Sequence, residues 1–240
     1  MTVRFNPNGP NNGQNSSETQ VKLTAKSFFA SSNEGLCQLF LDGHQGVLRA
    51  FGLEPDTIQS FRPSWFGRSD VVVCMFFDHR GKPVSGVRLH KRGEVQLPFE
   101  VALRDVGIDS GEIVKNVDWE ICGLWNDVSY SGELLSYLVA EFAMSIFGTL
   151  PEGGLVYNFA SSHTDFITSP LGFKRCTVPS LQGDIPYPDD RYITRVLIQD
   201  KMGWLATNLG QNWSESFGER VFWNGKREIY LTYDYSEIYR

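Results

Sequence analysis

Two short apolar runs, residues 117–125 and 155–160, flank a stretch at 132–148 that can only be a deeply buried helix. In it Leu134, Leu135, Leu138, Val139, Phe142, Ala143, Ile146 and Phe147 recur at helical spacing and leave almost no polar face. A helix this apolar needs a sheet to cover it, and the flanking runs read as strands. The centre of the chain is therefore strand, buried helix, strand.

The rest of the sequence continues the alternation. Residues 21–30 read as a first strand. Ser32 or Asn33 then caps a helix carrying Leu36, Leu39, Phe40, Val47, Leu48 and Phe51, which Gly52 ends. Residues 70–77 turn through Asp78-His79-Arg80-Gly81-Lys82-Pro83 into 84–90, a hairpin whose second strand puts Gly86, Arg88 and His90 on one face. Residues 192–199 form another strand. The last forty residues hold a helix around 204–213 and a hairpin, 220–223 with 228–233, turned at Asn224-Gly225. The expected fold class is α/β (α+β): a mixed, mostly antiparallel sheet flanked by helices. Residues 1–20 are expected to be a flexible polar tail, 21–199 the main domain, and 200–240 a C-terminal extension able to cover a cleft or form a homodimer edge.

Composition narrows the partners. Hydrophobic residues are 41% and charged residues 21%, as in globular domains. A net charge of −6 argues against nucleic acid, whose phosphates need a basic surface. No apolar run reaches the roughly 20 residues that span a bilayer. The first 20 residues lack the charged and apolar regions of a secretory signal, so a cytoplasmic protein is expected. Cys37, Cys74, Cys122 and Cys176 are scattered and stand at no ligand spacing from His44, His79, His90 or His163. Neither structural zinc nor disulfides are expected, and Cys74 and Cys122 fit buried free thiols.

The run Asp118-Trp119-Glu120-Ile121-Cys122-Gly123-Leu124-Trp125-Asn126-Asp127, followed by Ser131-Gly132 and the long helix, resembles the heart of the GNAT acyltransferase superfamily. Downstream, Val156-Tyr157-Asn158-Phe159-Ala160 and Pro170-Leu171-Gly172-Phe173 are similar to that superfamily's next strand and "GF" turn. Gly86-Val87-Arg88-Leu89, Leu97-Pro98 and Trp119-Glu120 follow the order seen in the acyl-homoserine-lactone synthase and N-acyl amino acid synthase branch. The resemblance implies a sheet splayed between the strands ending near Asn126 and spanning 155–160. It also implies a loop whose backbone N–H groups hold a cofactor pyrophosphate at the positive end of a helix.

The chain departs from the family pattern at defined places. The loop arginine falls at Ser131, the two glycines at Gly132 and Leu134, and the tyrosine acid at Thr168. The Ser-Arg that follows the branch glutamate is Cys122-Gly123.

On this resemblance the activity is N-acyl transfer from acetyl-CoA, a longer acyl-CoA or an acyl carrier protein to a small-molecule amine. Leu124, Trp125, Asn126, Ser131, Gly132 and Asn158 would bind the cofactor. Glu120 is the candidate base, since burial in an apolar strand raises a carboxyl pKa toward neutrality. The alternative is that it faces solvent or pairs with Arg88. His163 would lie at the approach of the acceptor, or else merely cap a Ser/Thr loop. Asp118 has the parity of Glu120 and would share its role or bind the substrate, and Arg88 would hold a substrate carboxylate or form a plain ion pair. The basic residues Arg80, Lys82, Arg88, Lys91 and Arg92 would dock an acidic carrier protein or a cofactor phosphate, unless they are simply a polar turn. A chain that kept the fold as a non-catalytic binding module is the rival reading.

Overall fold

The computed structural model describes residues 20–55, 64–111, 114, 118–127, 130, 133–151, 154–161, 164–176, 184–188, 192–206, 219–223 and 228–234. In chain order the elements are β1 (Gln20–Phe29), α1 (Glu34–Ala50), β2 (Val71–Asp78), β3 (Pro83–Lys91), α2 (Pro98–Asp105), β4 (Trp119–Asn126) and α3 (Glu133–Thr149). They continue as β5 (Leu155–Ser161), α4 (Asp165–Thr168), β6 (Lys174–Arg175), β7 (Ile185–Pro186), β8 (Ile193–Asp200), α5 (Lys201–Ala206), β9 (Glu219–Trp223) and β10 (Glu228–Asp234).

All the strands join one sheet in the order β6-β8-β5-β4-β3-β2-β1-β10-β9, with β7 also on β8. The β4–β5 and β1–β10 pairs are parallel and the others antiparallel. Helix α3 covers one face. Its Leu138, Val139, Phe142, Ile146 and Phe147 pack on Val72, Cys74, Phe76, Val87, Leu89, Trp119 and Ile121. Each such side chain, fully buried, contributes about 1.5–3 kcal/mol, which is why this helix needs no polar face. Ile229 and Leu231 of β10 belong to the same core, so the C-terminal hairpin extends the sheet.

The opposite face carries two helices side by side. Asn33 caps α1 by accepting the Leu36 N–H at 3.0 Å, and α1 buries Cys37 and Phe40 with Phe28, Trp65, Met75 and Trp125. Helix α2 opens at Pro98, with the Glu100 carboxylate accepting the Leu97 N–H at 2.9 Å, and buries Phe99, Ala102 and Leu103 with Tyr157, Tyr187 and Val196. Helix α1 packs on β3 and β4, and α2 also touches β4; residues of both helices wall a cleft whose floor is the sheet.

Three expectations need correction. Helix α2 is absent from the sequence reading, which passed over a proline at the first helical position and a glutamate two residues on. The helix expected near 204–213 begins earlier, at Lys201, where Asp200 Oδ1 accepts the Gly203 N–H at 2.5 Å. Residues 207–218 lie outside those described, as do the Asn224-Gly225 turn and residues 1–19 of the expected tail, whose last residue, Gln20, opens β1. The basic segment is not one surface: Arg88 is buried, Lys82 pairs with Asp127 at 2.5 Å, and Arg92 pairs with Glu100 at 3.3 Å.

Candidate active site

Strands β4 and β5 are in register at only two positions, Trp119 with Val156 and Glu120 with Tyr157. Past Glu120 the two strands part, as expected from the sequence. The same stretch of β4 carries an irregularity against β3: Arg88 lies opposite Cys122, but Gly86 lies opposite Trp125. Gly123, at φ +66°, absorbs the extra residue. The bulge changes which face β4 presents. Glu120 and Cys122 face the cleft and Ile121 the α3 core, whereas beyond the bulge Leu124 packs with the α3 core and Trp125 goes under α1.

The cleft holds about 180 Å³. Its floor is Arg88, Glu120, Cys122, Gly123 and Phe159; its walls include His44, Phe99, Tyr187 and Tyr192. Glu120 is buried, and its Oε2 accepts the backbone N–H of Phe99, in the first turn of α2, at 2.9 Å. That bond and the nearby Arg88 cation both favour the charged carboxylate. Burial opposes them and wins, pushing the pKa up to about 8. Glu120 therefore holds a proton near neutrality and is neither solvent-facing nor ion-paired.

Arg88 is also buried. Its guanidinium lies 4.5 Å from the Trp65 ring centroid and 5.2 Å from that of Phe40. Its polar side-chain neighbour is the Cys122 thiol, and its Nε has no acceptor among the described residues. No carboxylate among them lies within ion-pair distance, so the plain salt bridge is not formed. Burial and the Arg88 charge push His44 down to about 3 and His90 well below the ordinary histidine range, so both are neutral. Burial pushes the Cys122 thiol up to about 12, far from a thiolate.

The other candidates separate. Asp118 shares the face of Glu120 but is not part of the cleft lining; Tyr157 Oη donates to its Oδ2 at 3.4 Å, and burial raises its pKa. The Trp125 ring is enclosed under α1, 6.0 Å from Phe40, so only its backbone could meet a cofactor. Asn126 ends the splayed strand. Ser85 Oγ donates to its Oδ1 at 2.5 Å, and its Nδ2 donates to Ser136 in the first turn of α3. Asn158 lies on the α3 side of β5, between Val156 and Ala160 of that core. Thr168 is buried in α4 with its hydroxyl on the Thr164 carbonyl, and offers no proton to a cleft. Ser131, Gly132 and His163 lie outside the described residues.

Sequence reasoning missed His44, Phe99, Tyr187 and Tyr192 as cleft residues. Phe99 was within reach, because Pro98 followed by Glu100 signals a helix start. Gly123 inside a strand likewise signals a bulge. The tyrosines come from a connection that carries no periodicity.

No family model matches the sequence, and no curated protein is similar to it in sequence. Solved structures are similar in fold. FeeM, an N-acyl amino acid synthase from uncultured soil microbes, superposes on 82% of this chain and 100% of its own with a TM-score of 0.59 at 12% identity. BjaI, a CoA-dependent acyl-homoserine lactone synthase, covers 89% of this chain and 93% of its own at TM-score 0.51 and 13% identity. The chain has the GNAT fold. An acyl-CoA N-acyltransferase from Pseudomonas aeruginosa matches 74% of it and 99% of its own length, at TM-score 0.50 and 14% identity. In terms of that fold, β4 and β5 are the pair that parts and α3 is the helix that follows β4. The cleft between α1 and α2 opens on the face of the sheet opposite α3.

Proposed function

We propose that this chain is an N-acyltransferase that moves an acyl group from a pantetheine thioester to the amine of a small molecule. The observation that carries the reading is the position of Glu120. It is a buried carboxyl at the last position where β4 pairs with β5, and it faces a cleft. A thioester laid in the splay and an amine in the cleft would meet beside it.

The chemistry then asks for little. The amine nitrogen attacks the thioester carbonyl, the C–N bond forms, the C–S bond breaks, and the thiolate leaves with a proton. Glu120 accepts the proton of the attacking amine, and a carboxyl poised near 8 is suited to that exchange. Backbone N–H groups of β4 beyond Glu120, at Leu124 above all, stabilise the oxyanion. Asn126, held between Ser85 and Ser136, ties the end of the strand to the start of α3 and so shapes the donor side. Gly132 and Ser131 complete the pyrophosphate loop, and His163 is the second candidate for the proton. Acyl-CoA and acyl carrier protein are both suitable donors. We place the reaction in the cytoplasm, and the sheet edge at β9 is a candidate homodimer contact.

The test is incubation of the purified chain with a panel of acyl-CoAs and acyl carrier proteins plus small amines, followed by mass spectrometry. Amide product and free thiol in equal amounts are expected. If no thioester is turned over, the chain is a binding protein that kept the fold, the reading favoured by Ser131 in place of the loop arginine and by the buried Thr168.

A further inference from the structure

We infer that Glu100 and Arg92 are positioning residues for Glu120: together they fix the start of α2 against β4 and so aim the Phe99 N–H at the carboxyl. That Glu120 takes the proton of the amine rests on the acyl-transfer reading; the positioning itself does not.

Helix α2 begins with an incomplete cap. A helix leaves its first N–H groups without partners, and a Ser, Thr, Asp or Asn before the first turn normally accepts one of them. In α2 that place is held by Leu97, which has no side-chain oxygen, and Pro98 follows it with no N–H. The Phe99 N–H is left over, and Glu120 of the sheet accepts it at 2.9 Å. A buried carboxyl of the cleft thus serves as the missing cap. The bond holds only while α2 starts at the right place over β4.

Glu100 and Arg92 hold that place. The Glu100 side chain is buried, and the donors that meet it come from three segments. Its Oε2 accepts the Leu97 N–H at 2.9 Å and Arg92 Nε at 3.3 Å, and its Oε1 accepts Arg92 Nη2 and Ser110 Oγ, each at 3.4 Å. Arg92 stands just past the end of β3, and its backbone N–H donates to the Asp118 carbonyl at 2.7 Å. The contacts close a ring. Asp118 leads along β4 to Glu120, Glu120 to Phe99, Phe99 to Glu100, Glu100 to Arg92, and Arg92 back to Asp118. A guanidinium with two nitrogens on one carboxylate fixes direction as well as distance. Capping alone would need no more than the Leu97 bond; the Arg92 fork ties the helix start to the strand that carries Glu120.

The ring also carries charge to the site. Around Glu120 stand Arg88 and His90 from β3, Asp118 and Cys122 from β4, Tyr157 from β5, Glu100 from α2 and His44 from α1. Burial raises the Glu120 pKa, the Phe99 bond and the Arg88 cation lower it, and the Glu100 charge raises it. Glu100→Gln keeps an acceptor for the Leu97 N–H and removes the charge that opposes ionisation, so Glu120 should titrate lower. Arg92→Met leaves the Glu100 charge without its cation and loosens the Phe99 bond, and both changes raise it. A general loosening of the fold would instead hydrate Glu120 and lower it in both variants.

The experiment measures the melting temperature of each variant against its own double with Glu120→Gln, on the full chain without any thioester, from pH 5 to pH 10. In the parent the difference levels off near the Glu120 titration at about 8. It should level off at lower pH in Glu100→Gln and at higher pH in Arg92→Met. Arg92→Lys, which keeps the charge but not the fork, should fall between the parent and Arg92→Met. Profiles equal to the parent's, or displaced in the same direction in both variants, overturn the proposal. Should Arg92→Met not fold, Glu100→Gln decides alone, and an unchanged or raised profile overturns it. Turnover is read separately. The limb of the rate should move with the stability profile, and one pH unit changes the rate below the limb about tenfold. Displaced profiles without turnover of any thioester leave the positioning in place and refute acyl transfer alone, whereas turnover whose limb ignores both variants refutes the positioning while acyl transfer stands.

Discussion

The backbone N–H of Phe99 points along the start of α2 into the Glu120 carboxylate, 2.9 Å from Oε2, and so joins a helix end to the centre of the sheet. The positive end of a helix is worth about 0.3–1 kcal/mol to an exposed anion and up to about 2 in partly buried sites. Full burial costs more than that, and the carboxyl remains protonated until about pH 8. The Arg88 cation and the Glu100 carboxylate act on it from β3 and α2 with opposite signs.

That balance sets a stability profile. Glu120 titrates at about 8 in the folded chain against an ordinary 4.5, so the folded state holds this proton more tightly than the unfolded one. The stabilisation is complete below the unfolded pKa and is lost as pH rises through the window up to about 8. Glu120→Gln removes that loss. The melting temperature of Glu120→Gln relative to the parent should climb steadily from pH 5 to pH 8 and level off above. A difference that is flat with pH would mean that Glu120 is ionised throughout.

The same variant reads the chemistry. Glutamine keeps an acceptor for the Phe99 N–H but cannot take a proton. Acyl transfer should fall by about 10²- to 10⁴-fold. The parent rate should rise with pH through a limb near 8, and that limb should be missing in Glu120→Gln. If the variant retains full activity, the proton goes to water or to His163, and His163→Ala is the next measurement.

The order of strands around residues 117–160 was legible because period and length alone separate a buried helix from its flanking strands. The splay was legible through resemblance, from the distance between Trp119 and the Gly172-Phe173 turn. The cleft was legible only in part. Glu120 and Arg88 are charged residues in apolar strands, a pattern visible in one dimension. Phe99, Tyr187 and Tyr192 reach the cleft through α2 and a long connection, and no local period reports where such segments return. The absence of an ion pair between Arg88 and Glu120 was also invisible: strand parity puts both side chains on one face, but the bulge at Gly123 and the aromatic rings of Trp65 and Phe40 decide where the guanidinium goes.

Packing under α1 offers a separate test. The Trp125 ring is enclosed by two glycines: a Cβ at Gly43 would lie 2.4–2.7 Å from atoms of its six-membered ring, and one at Gly86 would lie 2.7 Å from its Nε1 and 2.9 Å from the Phe40 ring. Gly43→Ala improves helix propensity by about 1 kcal/mol, but overpacking costs about 1–3 kcal/mol and should dominate. A net loss of about 1 kcal/mol lowers the melting temperature by about 2–4 °C in a domain of this size. In a Trp125→Phe background the smaller ring makes room, and Gly43→Ala should become neutral or stabilising. Equal losses in both backgrounds would show that the two residues do not meet.

Gly123 carries two demands at once, and they can be separated. Its φ of +66° costs an alanine about 1–2 kcal/mol, and an added Cβ would press on the Arg88 guanidinium at 3.0–3.4 Å. The first cost belongs to the backbone and is independent of Arg88. The second vanishes when the guanidinium is gone. Gly123→Ala should therefore destabilise the parent by more than it destabilises Arg88→Met, measured as the coupling in a double-mutant cycle by denaturant unfolding. The residual loss in the Arg88→Met background should stay near the backbone value. A coupling of zero would place the guanidinium away from Gly123. A residual loss of zero would mean that the bulge does not hold residue 123 in the left-handed region, and the face change along β4 would then need another cause.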